Sequence, residues 1–144
     1  MSHTKKTLIL ILFLIFLTQS VIAAEPNRIL SNSEDWRDVY SVILYGSLIG
    51  KPANFLVSDR HSTLILNQIT PGSHIWAISS KKVPYVVGYK NLLESKGYTA
   101  EEFVYDNANL ELAKRLDDIA NFIIVDDSYG YNAISVAPYA VTTK

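Results

Sequence analysis

The sequence predicts an α/β fold, an open three-layer sandwich whose mainly parallel sheet is flanked by helices. Two observations predict it. Short apolar runs alternate with stretches whose apolar residues recur at helical spacing. Turn residues separate them at the intervals that strand–helix–strand units need. The first strand is expected at Arg28 to Ser31. Trp36, Val39, Tyr40, Ile43 and Leu44 then mark a helix over Asp35 to Ile49. Asn32 or Ser33 can cap it, Glu34 and Asp35 suit its first turn, and Gly50 and Pro52 stop it. Ala53 to Val57 reads as a buried strand, and Ser58 or Asp59 can cap a second helix through Gln68. A turn at Thr70 to Ser73 leads to a third strand, His74 to Ser79.

Further on, a helix is expected over Val86 to Lys96, ended by Gly97, with a fourth strand at Thr99 to Tyr105. Leu110, Ala113 and Leu116 share one face of a helix over Asn109 to Leu116. Phe122 to Val125 reads as a buried fifth strand, and Tyr131 to Val141 as the last helix.

The N-terminus carries an address. Lys5 and Lys6 precede an unbroken apolar run, Leu8 to Leu17, and Ala24 suits a cleavage site before Glu25. At about 1.5 Å per helical residue, the run covers roughly half of a ~30 Å bilayer core, which favours a cleaved signal over an anchor. The expected protein is therefore secreted or held at the cell surface, with residues 25–144 forming one α/β domain. Those residues hold 11 basic and 14 acidic side chains, a charge of −3, and nothing that suggests nucleic acid. The chain has no cysteine, so neither disulfides nor metal thiolates contribute.

Two segments look alike at a constant offset of 94 residues. Asp38 matches Asn132, Ser41 matches Ser135, Val42 matches Val136, Tyr45 matches Tyr139, and Gly46 matches Ala140. Each is a polar loop leading into a helix. Residues 28–121 then form a first unit and 122–144 the start of a second. The second stops at Thr142-Thr143-Lys144, where a strand matching Ala53 to Val57 would begin. The expectation is a piece of a longer surface protein.

On these residues the chain resembles the cell wall-binding repeat 2 family. The resemblance rests on the run Ser33 to Ser41 continuing through Gly50-Lys51-Pro52 to Val57, and on Gly130 to Ala140. It covers roughly 28–144. The family's Gly-Gly after the third strand is replaced here by Ser79-Ser80, as in a divergent member. The resemblance implies a non-catalytic extracellular module that attaches to an envelope polysaccharide or a surface-layer component, often beside copies of the same repeat. Two further readings stay open: an accessory piece of an amidase-type wall hydrolase whose catalytic region is absent, and a surface protein that assembles with itself through some of its nine tyrosines.

The residues add little chemistry. His61 and His74 are thirteen apart without a nearby third ligand, so no metal is expected. Asp117-Asp118 and Asp126-Asp127 are carboxylate pairs, the latter at the end of the expected fifth strand. A solvated loop suits them better than catalysis. Ser41 and Ser135 fall inside helices, without the strand-to-helix elbow of a nucleophile. Lys81-Lys82 and Arg60-His61 are small basic clusters expected on the solvated surface. No catalytic residue and no cofactor is expected. The candidate ligand-binding residues are Glu34, Asp35, Trp36 and Asp38 at the first loop–helix junction, and Asp127, Tyr129, Tyr131 and Asn132 at the second. Aromatic faces beside carboxylates and amides suit a glycan. Equally, the rings can pack and Asp38 and Asn132 can bridge helices.

Overall fold

A computed structural model of the protein describes residues 25–116, 121–126, 128 and 130–142. It holds a four-stranded sheet in the order β2-β1-β3-β4, all parallel. Strand β1 is Arg28–Asn32, β2 Ala53–Phe55, β3 His74–Ser80 and β4 Thr99–Tyr105. Helix α1 is Trp36–Leu48. Helix α2, His61–Leu64, runs into a 3₁₀ turn at Ile65–Gln68. Helices α3, α4 and α5 are Tyr89–Ser95, Ala108–Ala113 and Gly130–Thr142.

Register decides the two cores. Leu30 stands opposite Ala77, and Ile29 opposite Trp76, so alternate residues of β1 and β3 feed opposite faces. Leu30, Ile75 and Ala77 pack with Ile65 and Leu66, and with Tyr89 and Leu93 of α3. Ile29 and Ile78 pack with Val42 and Tyr45 of α1, and with Ala108 and Leu112 of α4. The result is the expected three-layer sandwich. Burying each large apolar side chain stabilises it by about 1.5–3 kcal/mol. Tyr89 is buried whole, its hydroxyl donating to the Ser62 carbonyl at 2.9 Å, and burial pushes its ionisation well above the ordinary tyrosine value.

Two glycines end helices in the same way. After α1, Gly50 has φ +68°, its N–H donates to Ser47 O at 3.4 Å, and Lys51 N–H donates to Gly46 O at 2.8 Å. After α3, Gly97 has φ +86°, with Gly97 N–H to Glu94 O at 3.0 Å and Tyr98 N–H to Leu93 O at 3.2 Å. These are Schellman closures, which a residue with a Cβ adopts only under strain.

The structure corrects several expectations. Asp35, rather than Asn32 or Ser33, caps α1, accepting from Arg37 N–H at 2.9 Å. Helix α3 starts at Tyr89 instead of Val86, because Val86 is bonded to Asn32. Helix α4 starts at Ala108, where Asn107 caps it by accepting from Leu110 N–H at 3.1 Å. The largest departure is at 122–125. The expected fifth strand is absent: residues 121–126 belong to no strand, and Phe122, Ile123, Ile124 and Val125 are all exposed. Asp126 is therefore not at a strand end. Asp117, Asp118, Asp127 and Tyr129 lie outside the described residues, as do 1–24.

Candidate functional site

The chain leaves β1 for β2 on one side, then crosses back to β3 on the other. That reversal opens a crevice at the carboxyl ends of β1 and β3, where open α/β sheets hold ligands. Here the chain fills it itself. Asn32, fully buried, donates from Nδ2 to Ser79 Oγ at 2.8 Å and to Val86 O at 2.7 Å, while Val86 N–H donates to Asn32 Oδ1 at 3.0 Å. Ser79 Oγ donates to Glu102 Oε1 at 2.6 Å. Glu102 also accepts from Tyr89 N–H and Lys90 N–H, both at 3.2 Å, at the start of α3. The network draws segment 81–88 over the crevice. Glu34 N–H adds a bond to Val83 O at 2.9 Å. Sequence reasoning missed Glu102 altogether and read Asn32 only as a helix cap. The signal present was Ser79-Ser80 standing where glycines were expected: Ser79 joins the network, and Ser80 Oγ accepts from Val83 N–H at 3.4 Å.

Beside the closed crevice lies the first loop–helix junction. Ser33 Oγ accepts from Asp35 N–H at 3.0 Å and donates to Asp38 Oδ2 at 2.8 Å. The other oxygen of Asp38 accepts from Ala108 N–H at 3.3 Å, the first residue of α4. Asp38 is thus a bridge between α1 and α4, with both oxygens engaged. Glu34 is exposed, and Asp35 is committed to its cap and an exposed ion pair with Arg37 at 3.4 Å. The Trp36 ring keeps 37% of its surface in solvent, with the Arg37 guanidinium 5.3 Å from its centroid.

The second junction arrives at the same place. Helix α5 packs on α1, where Tyr40 donates its hydroxyl to Ala133 O at 2.7 Å. Gly130 faces the Trp36 ring so closely that a Cβ built on it would touch the indole at 3.5 Å. Tyr131 follows with 63% of its surface exposed, and Asn132 is half-buried. Of the eight residues expected to bind, the structure therefore gathers Glu34, Asp35, Trp36, Tyr131 and Asn132 around two adjacent helix starts. It withdraws Asp38 into the frame.

The other candidates are scattered. His74 sits at the amino end of β3, 3.3 Å from Glu101, while His61 opens α2. Among the described residues no group of three or more histidine, cysteine or carboxylate side chains is arranged to hold a metal. Asp126 is exposed and accepts from Ser128 N–H at 2.8 Å; hydrogen bonding from Ser128 holds its carboxyl below the usual value. Lys81 pairs with Asp106 at 2.9 Å on the surface. Compared with known proteins, the chain matches no family model, no curated protein and no solved structure.

Proposed function

We propose that this protein is an exported, non-catalytic module that binds a polysaccharide or surface-layer component of the cell envelope. The observation that carries the reading is the meeting of the two loop–helix junctions, 94 residues apart in sequence, with Gly130 against the Trp36 indole and Tyr131 beside it. A part-exposed indole with the Arg37 guanidinium over its ring, an exposed phenol, and Glu34 and Asp35 at the same helix start offer apolar surface with polar edges. A pyranose ring presents the same combination. The polar groups at the switch point favour binding over chemistry, since Asn32, Ser79, Glu102 and Asp38 are spent on the protein's own backbone and side chains. The N-terminal pattern of 1–24 and the resemblance to cell wall-binding repeats point the same way.

A repeat origin for the two junctions has its own support. Helices α1 and α5 each have 13 residues, with bounds offset by the same 94. Ser41 Oγ donates to Arg37 O at 2.7 Å, and Ser135 Oγ donates to Tyr131 O at 2.7 Å, the same bond at the same offset.

The test is retention of the purified protein on isolated envelope material. The wild-type chain is expected to be retained. Trp36→Ala and Tyr131→Ala should each weaken binding roughly tenfold, about 1.4 kcal/mol. A folded protein that passes through unretained sinks the proposal.

A further inference from the structure

We infer that two copies of this chain associate by strand addition, the segment Phe122–Val125 of one copy lying along the outer edge of β2 in the other. Each chain carries both halves of the contact. The donor is four consecutive strand-forming residues that pair with no strand among the described residues. Ile124 is 96% exposed and Phe122 63%. An unbroken apolar run is the pattern of a strand covered on both faces; here the Phe122–Ile124 face lies open, and Ile123 and Val125 keep 45% and 37% of their surface in solvent.

The acceptor is the β2 edge. Among the described residues, Ala53–Phe55 pairs only with β1, so its far side is an open ladder. A groove of about 190 Å³ runs beside it, walled by Ile43 of α1 on one face and by His61 and Ile65 on the other. Phe55 and Val57 are exposed at its mouth. The groove also holds a polar orphan. His61 Nδ1 is buried without a hydrogen-bond partner among the described residues. An arriving backbone N–H or C=O can satisfy it, according to the ring's tautomer, and a buried polar group left alone costs about 1–3 kcal/mol.

Connection handedness selects this edge over that of β4. The crossovers β2 to β3 and β3 to β4 move in one direction across the sheet, through helices on the Leu30 face. The crossover β1 to β2 moves the other way, through α1 on the Ile29 face. Helix α4 also lies on the Ile29 face. Right-handed connection after α4 would send the chain's own next strand to the outer side of β2, so that edge is the strand position the fold leaves vacant for a second copy's segment to take. The β4 edge is guarded besides. It carries Glu101, and Asp106 follows it. The occupant is a second copy because α5, docked on α1 through Tyr40 and Gly130, holds the segment in solvent off its own sheet. Reciprocal exchange between two copies closes a twofold dimer.

The chain's lack of cysteine makes trapping clean. The exported protein is prepared as Phe55→Cys and as Ile124→Cys, and the two are mixed under mild oxidation. Rapid formation of the mixed disulfide dimer, at least tenfold faster than either homodimer, is the expected result. The double variant Phe55→Cys/Ile124→Cys should yield dimers linked between chains. In sedimentation, wild-type protein should dimerise with concentration, and Ile124→Lys should associate at least tenfold more weakly with the same monomer melting temperature. An intramolecular disulfide in the double variant would mean the segment docks on its own sheet and would overturn the proposal. So would a wild-type chain monomeric at every concentration, or Ile124→Lys that associates like wild type. Envelope binding through Trp36 is read separately, since Ile124→Lys leaves both helix starts unaltered.

Discussion

Helix α1 spans Trp36–Leu48 and helix α5 spans Gly130–Thr142, the same 13 residues at an offset of 94, with a serine bonded back one turn in each. Their fates differ. On α1, Ser41, Val42, Tyr45 and Gly46 are buried against the sheet and α4. On α5 the matching Ser135 and Tyr139 are exposed, and Ala133 is the side chain buried deepest among those described. A glycine closure ends α1, whereas α5 carries Pro138 in its interior, where a proline removes one helix bond and costs about 3 kcal/mol. Helix length and the serine back-bond are the same in both. Packing against the sheet is seen for α1 only: β1 beneath it has neighbours on both sides, whereas 122–125 before α5 pair with no strand among the described residues.

The largest test of that contrast is Gly46→Ala. A methyl group there would meet Ala53 Cβ at 2.6 Å and the Lys51 carbonyl oxygen at 2.9 Å, and backbone cannot yield cheaply. Stability should fall by about 2 kcal/mol, read in urea denaturation. The glycine facing Trp36 should respond oppositely: Gly130→Ala makes an ordinary contact and gains helix propensity, raising stability of α5 by about 0.5 kcal/mol.

Next comes the hydrogen bond that joins the two helices. Tyr40→Phe removes the bond to Ala133 O and should release α5 by about 1 kcal/mol, seen as faster amide exchange in 130–142 with α1 unchanged. Equal acceleration in both helices would contradict the picture of α5 as a separately docked element.

The paired serines should then separate. Ser41 is buried and also accepts from Asn109 Nδ2 at 3.2 Å, so Ser41→Ala should cost about 1 kcal/mol. Ser135→Ala removes an exposed back-bond and should be neutral or slightly stabilising, by no more than about 0.5 kcal/mol. Equal losses at the two positions would mean that α5 is covered as α1 is.

The smallest effect is in acid. Hydrogen bonds from Lys81 to Asp106 and from Ser128 to Asp126 hold both carboxyls below their ordinary 3.8. Their contribution is present above that value and is lost as the pH falls through the lower folded one. Carboxyl NMR titration should place both midpoints below 3.8, and a midpoint at or above it removes the contact from the account.

Most of the sandwich was legible because its signals are local. Strand β4 has the bounds expected for it, β1 and β3 extend one residue further, and Gly50 and Gly97 stop helices where the sequence says they do. What failed was non-local. Asn32 was read as a cap and Val86 as helix, because their bond depends on β1 and β3 pairing in a register that places Asn32 opposite Ser79. Phe122 to Val125 has the composition of a strand, but a strand also needs an edge to pair with, and composition does not supply one. Within the proposed binding surface, residue types singled out Trp36 and Tyr131. Only the docking of α5 on α1 brought their helix starts together, and only the position of Ala108 showed Asp38 to be a bridge.

One titration tests the central claim most directly. In a Trp76→Phe protein, Trp36 is the sole tryptophan and reports from the joint between α1 and α5. Adding soluble envelope polysaccharide should change its fluorescence saturably, and Tyr131→Ala should shift the midpoint roughly tenfold higher, about 1.4 kcal/mol. An unchanged Trp36 signal in a protein that circular dichroism shows to be folded would contradict the account.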